Sequence, residues 1–421
     1  MTSPTLSTTT KDALDRILSD AVARKSTPAM FLGVTTANGP IYVNTVGNKF
    51  FDDPTSPAID EDTVFALFSQ TKLITSIAAL QLIEQGKIAL DTPVETVIPE
   101  LANPVVVTAQ DEMGRPTATV PAKGKITVAH LLNHTSGLDY FVNGILPLDD
   151  NTWLYKHDYK DDEDVSTFFK MLKGSHPGVP LRFEPGTSWV YGFSTDCLGF
   201  VVERLAGKSL EQYFQDHIFS PLGITSMSFC LSPIMQERLL LLSYRKDGQL
   251  ERWGNRPPMF NRDPAKVRVH LGGVGLYGSQ KDYLALLTHL LQIQANCASV
   301  PILSRASVES MFTPSVPPTG ILALNGFAGF VHPYLGLPAG AGQFGHGLFV
   351  NTIDVPGKRR SGSGCWSGMP MTSFFVDPTT GVAMVFATQL LPAADDTHER
   401  LYDVVEREVY GGLSLGIASA L

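Results

Sequence analysis

Cysteine is scarce in this chain: four in 421 residues, at positions 197, 230, 297 and 365, with no Cys-x-x-Cys pair. That spacing excludes a zinc-ribbon site and offers no disulfide framework, so free thiols are expected. Basic residues are in deficit, 32 Lys and Arg against 41 Asp and Glu, for a net charge of −9. The balance argues against nucleic acid or an anionic membrane as partner. No apolar run reaches the roughly 20 residues that span a bilayer. The first residues, Met1 to Val22, carry no basic segment followed by an apolar one, as a secretory leader would. Internal repeats are absent, and low complexity is confined to the Thr-rich first ten residues. Together these absences predict a soluble, cytoplasmic protein whose partner is a small molecule; the oligomeric state stays open.

What is present is apolar residue and turn residue in quantity: 43% hydrophobic, 37 Gly and 29 Pro. The length allows about two to three domains. Lys11 to Ala23 reads as an amphipathic helix, with Leu14, Ile17, Leu18 and Ala21 on one face. AMFLGVTTANGPIYVNTVG alternates about Asn38-Gly39, a strong hairpin signal. A long apolar helix follows, closed by Gly86. From Leu101 to Asn261 the texture reads as mostly helical with long loops. A helix over 280–292 follows, then a hairpin with strands at 372–376 and 382–388 about Asp377-Pro-Thr-Thr-Gly381, and a closing helix from Asp395 to Tyr410. The pattern predicts an α/β (α+β) fold: an antiparallel sheet flanked by helices, built from both ends of the chain (1–100 and 265–421), with an inserted mostly helical domain (101–264). A cleft between the two is where a small-molecule site is expected.

The chemistry concentrates in ALFSQTKLITSIAALQLIEQG, where Ser69 and Lys72 stand three apart at the head of the apolar helix. Backbone N–H groups there lack intrahelical partners, and the helix dipole favours developing negative charge. Residues i and i+3 share a face, so Lys72 can reach the Ser69 hydroxyl. Leu73, Ile74 and Ile77 bury the lysine near a positive helix end, and both influences disfavour its ammonium form. A neutral lysine there can serve as the base for its serine. A second cluster, FEPGTSWVYGFSTDCLG, sets Tyr191 between a turn and a helix beginning near Ser194; a core aromatic is the alternative. A third, SGSGCWSGMPMTSFFVDP, puts Trp366-Ser367-Gly368 just before a hairpin, where glycine permits close backbone approach and an N–H can face an oxyanion.

With HLLNHTSGL (130–138) and PLGITSMSF (221–229), these clusters resemble, in order, the serine β-lactamase/penicillin-binding-protein superfamily. The likeness is nearest to its class C-like branch, to family VIII carboxylesterases and to fungal statin-type acyltransferases. It implies a β-lactamase/transpeptidase-like fold, Ser69 as nucleophile, Lys72 as its base partner, and Tyr191 as the acid/base that serves the leaving group. The amides of Ser69 and Met369 would form the oxyanion hole. Trp366, Ser367, Gly368 and Phe193 would contact substrate. His346, in GQFGHGLFV, would line the pocket or else sit on a strand face. No cofactor and no metal are implied. Two departures bear on substrate: Tyr191-Gly192-Phe193 lacks the asparagine of class C enzymes, and Trp366 stands where they carry lysine. A substrate carboxylate would thereby lose a charged hydrogen bond worth about 1.5–3 kcal/mol. The resemblance implies a carboxylester hydrolase for small to medium apolar acyl groups. The alternatives are an acyltransferase serving secondary metabolism, and an inactive binding protein.

Three other patterns are set aside. Gly412-Leu-Ser414-Leu-Gly416 matches Gly-x-Ser-x-Gly but has neither Asp nor His after it. His130 and His134, four apart, lack the glutamate of a zinc-protease helix and are expected to be structural. DYKDDED (158–164) lacks calcium-loop spacing and reads as a solvated loop.

Overall fold

The computed structural model describes residues 3–142, 159–254, 263–331 and 337–414. Its centre is a seven-stranded antiparallel sheet. The strands are β1 (Met30–Thr36), β2 (Gly39–Val46), β3 (Gly342–Phe344), β4 (Phe349–Asn351), β5 (Gly364–Gly368), β6 (Thr372–Asp377) and β7 (Val382–Ala387), in the spatial order β3-β4-β5-β6-β7-β1-β2. The hairpin about Asn38-Gly39 supplies β1 and β2. β7 pairs with β1 from Val382↔Thr36 to Ala387↔Phe31, so distant ends of the chain close one sheet. β1, β6 and β7 are buried throughout; strands covered on both faces read as continuous apolar runs.

Six main helices are α1 (Thr8–Ala23), α2 (Thr71–Glu84), α3 (Ser194–Ala206), α4 (Gln280–Gln294), α5 (Ile321–Val331) and α6 (Asp396–Gly411). α4 covers one face of the sheet, Tyr283 meeting Phe374 at a ring separation of 5.1 Å. α6 covers the other, where His398 stacks on Phe386 at 5.0 Å and Tyr410 on Phe375 at 5.9 Å. Side-chain caps fix where these helices begin: Ser7 accepts from Thr10 N, Ser279 from Asp282 N and Asp395 from His398 N, each cap worth about 1 kcal/mol. α2 lies inside the molecule, every residue from Thr71 to Leu82 buried. A helix apolar all round has no solvent face to offer.

The stretch 101–261 is less purely helical than its texture predicts. It contains α3 and several short helices. It also contains a hairpin of Val105–Gln110 with Pro116–Pro121, and another of Ser243–Lys246 with Gln249–Arg252. The first hairpin is mostly exposed, and its strands, VVVTAQ and PTATVP, show no strict alternation of apolar and polar residues that would mark a half-buried strand pair. The second is tied back to the sheet end by Leu390 and Leu391, which pair parallel with Ser243 and Tyr244.

Candidate active site

Ser69 lies in a single 3₁₀ turn, Phe68–Gln70, that leads directly into α2. Phe68 adopts φ +48, the left-handed region that a bulky side chain seldom enters. Such a residue costs about 1–3 kcal/mol and persists where its surroundings over-determine it. Here Phe68 is buried in a cluster with Leu231, Met235 and Tyr277. The turn points Ser69, 8% exposed, into a cavity.

Two close backbone approaches bring the other motifs to that serine. At Gly192 a Cβ would lie 1.9 Å from the Leu138 carbonyl oxygen, so glycine lets Tyr191 close against the His134–Leu138 loop. At Gly368 a Cβ would lie 2.3 Å from the Leu67 carbonyl oxygen, which seats the end of β5 on the turn carrying Ser69. Long-range contact between motifs is thus built from glycines that no local period explains.

The resulting geometry is compact. The Tyr191 hydroxyl donates to Ser69 Oγ at 2.6 Å. Lys72 Nζ, 2% exposed, donates to Ser69 Oγ at 3.2 Å, to the Tyr140 hydroxyl at 3.2 Å and to the Gly273 carbonyl at 2.8 Å. It also lies 4.6 Å from the centre of the Tyr191 ring. Trp366 Nε1–H reaches the Tyr191 oxygen at 3.4 Å. Ser367, Gly368, Met369 and Phe193 line the same cavity as Ser69 and Tyr191.

Three residues of this network escape sequence reasoning. Tyr140 follows the HTSGL motif by two positions, and burial pushes its phenol well above the ordinary value, so it stays a neutral hydroxyl. Asp196, on α3, accepts from Gly273 N at 2.9 Å, while its other oxygen is buried with no partner among the described residues. Burial raises its carboxyl to about 6, against the opposing pull of Lys72. Gly273 links the two, its N–H on Asp196 and its carbonyl on Lys72. Tyr140 and Asp196 lie within or beside motifs quoted above, yet only the tertiary fold shows that they converge on Lys72.

His346 is placed elsewhere. The turn from β3 to β4 directs it to the 305–311 helix, where Nδ1 meets Ser310 Oγ at 3.1 Å, and it does not line the cavity. His134 is buried with φ +61 and packs on Tyr191 at 5.2 Å; burial, then Lys72, hold it well below the ordinary histidine range. His130 caps the short 128–132 helix, its Nδ1 accepting from Thr127 N. Ser414 pairs as a strand residue with Thr5. Within the acidic run, Asp158 falls outside the described residues, and Asp161 pairs with Arg268 at 2.6 Å. Among the described residues no cluster of three His, Cys, Asp or Glu is arranged to hold a metal, and no helix is long and apolar enough to cross a membrane.

The cavity has a volume of about 760 Å³, within the usual range for small-molecule sites. Its walls are mostly apolar: Trp189, Phe327 and Trp366 stand around Tyr191, with ring separations of 4.9–6.5 Å. On the wall beside Ser367 and Gly368, Trp366 presents an indole and no cation. Arg182, also on the wall, is committed to Asp139.

A family model described as beta-lactamase matches residues 14–407. The chain is 32% identical over 394 residues to the acyltransferase calJ of Penicillium decumbens, covering 90% of this chain and 88% of that one. It is 31% identical over 360 residues to the lovastatin esterase of Penicillium rubens, covering 83% and 85%. Among solved structures, simvastatin synthase of Aspergillus terreus superposes with a TM-score of 0.78 at 27% identity, over 96% of this chain and 98% of that one.

Proposed function

This chain belongs to the beta-lactamase family, and on that premise we propose that it moves an apolar acyl group from a small-molecule ester or thioester onto Ser69 and then to an alcohol, with water as a competing acceptor. The observation that carries the reading is Ser69 Oγ held 2.6 Å from the Tyr191 hydroxyl and 3.2 Å from Lys72 Nζ in a largely apolar cavity. In this reading Ser69 Oγ attacks the acyl carbon and its proton passes to the Tyr191 oxygen as the Tyr191 hydroxyl proton passes to the departing oxygen or sulfur, with no net change at Tyr191. An acceptor hydroxyl then attacks the acyl-enzyme and gives its proton to the Tyr191 oxygen as Tyr191 gives its own to the departing Ser69 Oγ, along the 2.6 Å hydrogen bond.

Lys72 is assigned differently from the neutral base expected of it. Its three acceptors match the three N–H groups of an ammonium, and the Asp196 carboxyl stands behind Gly273. It therefore holds charge at the Ser69–Tyr191 pair while Tyr191 moves the proton, and the Trp366 N–H supports the same oxygen. The amides of Ser69 and Met369 are assigned to the oxyanion. Segments 1–100 and 265–421 are assigned to the body and 101–264 to the insert. Acyl transfer is placed ahead of hydrolysis because apolar walls favour an alcohol over water at the acyl-enzyme. The likeness to an esterase supports hydrolysis as the second activity.

The test is labelling by a fluorophosphonate together with turnover of p-nitrophenyl butyrate, with and without added 1-butanol. One adduct on Ser69 is expected, along with transfer product in the presence of butanol. Ser69→Ala should abolish both, and Ser414→Ala should stay within about twofold of wild type, as a surface change remote from the chemistry does. Labelling at another residue, or turnover surviving in Ser69→Ala, would remove the assignment.

A further inference from the structure

The cavity continues past Ser69, over the ends of β5 and β6. Alternate strand residues point to opposite faces. Phe375 and Phe386 meet α6, so Ser373, two residues before Phe375 and opposite Phe386 in the ladder, shares the α6 face. Ser367 is the register partner of Ser373 and shares it too. Both serines line the cavity, and so does Glu399, one turn into α6. Glu399 is 4% exposed, and its carboxyl makes no hydrogen bond among the described residues. Leu391, Pro392 and Ala393 form apolar wall beside it. A buried, unpartnered acid at the end of an apolar arm is a costly feature, and it asks for a partner from the substrate.

The groups around Glu399 decide what that partner is. Asp395 caps the start of α6, one turn before Glu399, its carboxylate held by Arg245 of the 243–246 strand. Lys358, from the connection between β4 and β5, is paired with Asp403. His398, beside Glu399 in sequence, is held down to about 4 by burial and is neutral. Tyr244 and Trp253 supply the remaining aromatic wall. Burial and then Asp395 push Glu399 up to about 8, against Lys358. At neutral pH the side chain is therefore mostly an acid with one O–H to donate.

We propose that this arm is a subsite for a neutral acceptor oxygen, a carbonyl or ether oxygen remote from the reacting ester, which receives the Glu399 O–H with Ser367 and Ser373 beside it. The inference rests on the acyl-transfer reading above and adds to it a class of substrate: an apolar chain carrying one distal oxygen. A carboxylate would meet the Asp395 carboxylate unfavourably, and a plain alkyl chain would leave the Glu399 acid unpaired.

Two matched pairs of esters test it, one on each side of the ester bond: p-nitrophenyl 5-oxohexanoate against hexanoate, and 5-oxohexyl against hexyl butyrate. Turnover of the plain esters reports the acyl-transfer reading by itself; the ratio of kcat/KM within a pair reports the subsite. In wild type at about pH 6.5 one pair should favour the ketone by about fivefold, roughly the worth of one hydrogen bond. Glu399→Leu should bring that ratio to about one, and Glu399→Gln, whose amide still donates, should keep it. Raising the pH through about 8 ionises Glu399 and removes its donor, so the wild-type preference should fall by about pH 9.5 while that of Glu399→Gln stays level. Ratios near one in both pairs for wild type, or a preference that survives in Glu399→Leu, would overturn the subsite. Absence of turnover on all four esters would instead overturn the reading beneath it.

Discussion

α2 and α5 are written in nearly the same alphabet and put to opposite uses. TKLITSIAALQLIE and ILALNGFAGFV are both apolar almost all round. α2 is enclosed from Thr71 to Leu82, and most of its polar groups are tied down: Thr75 to the Gly272 carbonyl at 2.7 Å, Ser76 to the Lys72 carbonyl at 2.9 Å, Lys72 to three oxygens, while Gln81 Oε1 has no partner among the described residues. In α5 Leu324 alone is fully buried, while Leu322 and Phe330 are 84% and 66% exposed. Ala323, Phe327, Phe330 and Val331 face the cavity instead. Apolar area that stabilises the fold in α2 is left available in α5 for a ligand. Hydropathy measures how much apolar surface exists; the neighbours decide what it is for.

The sharpest way to break the comparison is to remove the charge that α2 buries. Lys72→Met keeps the length and apolar stem and deletes the three donors. On the role proposed for Lys72 at the Ser69–Tyr191 pair, kcat/KM should fall by about 10³-fold, within the range for acid–base groups, with near-UV circular dichroism still showing native packing. A variant keeping a tenth of the wild-type rate would make Lys72 a structural cation and α2 only a core helix.

Next in size is packing. Ile77 in α2 is 0% exposed, and Ile77→Ala should cost about 2–5 kcal/mol in urea unfolding, the range for a large-to-small core change. Leu322→Ala in α5 should cost no more than about 0.5 kcal/mol. Equal costs in the two helices would mean that α5 is covered in solution.

Much of this division is legible in the sequence, and the reasons for the remainder are physical. Ser69, Lys72 and Tyr191 can be found because each sits in a motif with its own local signature. The hairpins at Asn38-Gly39 and 377–381 announce themselves by turn chemistry, and α1, α4 and α6 by period and caps. What stays hidden is contact across the fold. Tyr140 and Asp196 reach Lys72 from separate elements through Gly273, and Glu399 joins the cavity only because β6 and α6 share a face. His346, read from sequence as lining the pocket or else sitting on a strand face, is sent by the β3–β4 turn to Ser310. The exposed 105–121 hairpin lacks the apolar alternation that marks a half-buried strand.

The smallest effect expected is the most specific to α5. Phe327 packs its ring 4.9 Å from Tyr191 and lies stacked on Trp366 at 6.1 Å, yet it is only partly buried. Truncation to alanine removes apolar wall that a bound acyl chain would cover. Fully burying such a ring against substrate is worth about 1.5–3 kcal/mol, and partial contact should give less. Phe327→Ala should therefore raise KM for p-nitrophenyl octanoate by up to about tenfold, since 1.4 kcal/mol is a factor of ten. The acetate ester, too short to reach α5, should change by less than about twofold, and the urea midpoint should barely move because the ring contributes little to the core. Uniform binding loss appears in KM with kcat preserved. A fall in kcat for both esters would show instead that Phe327 holds Tyr191 in place, and α5 would then resemble α2 in serving the catalytic groups and not the ligand.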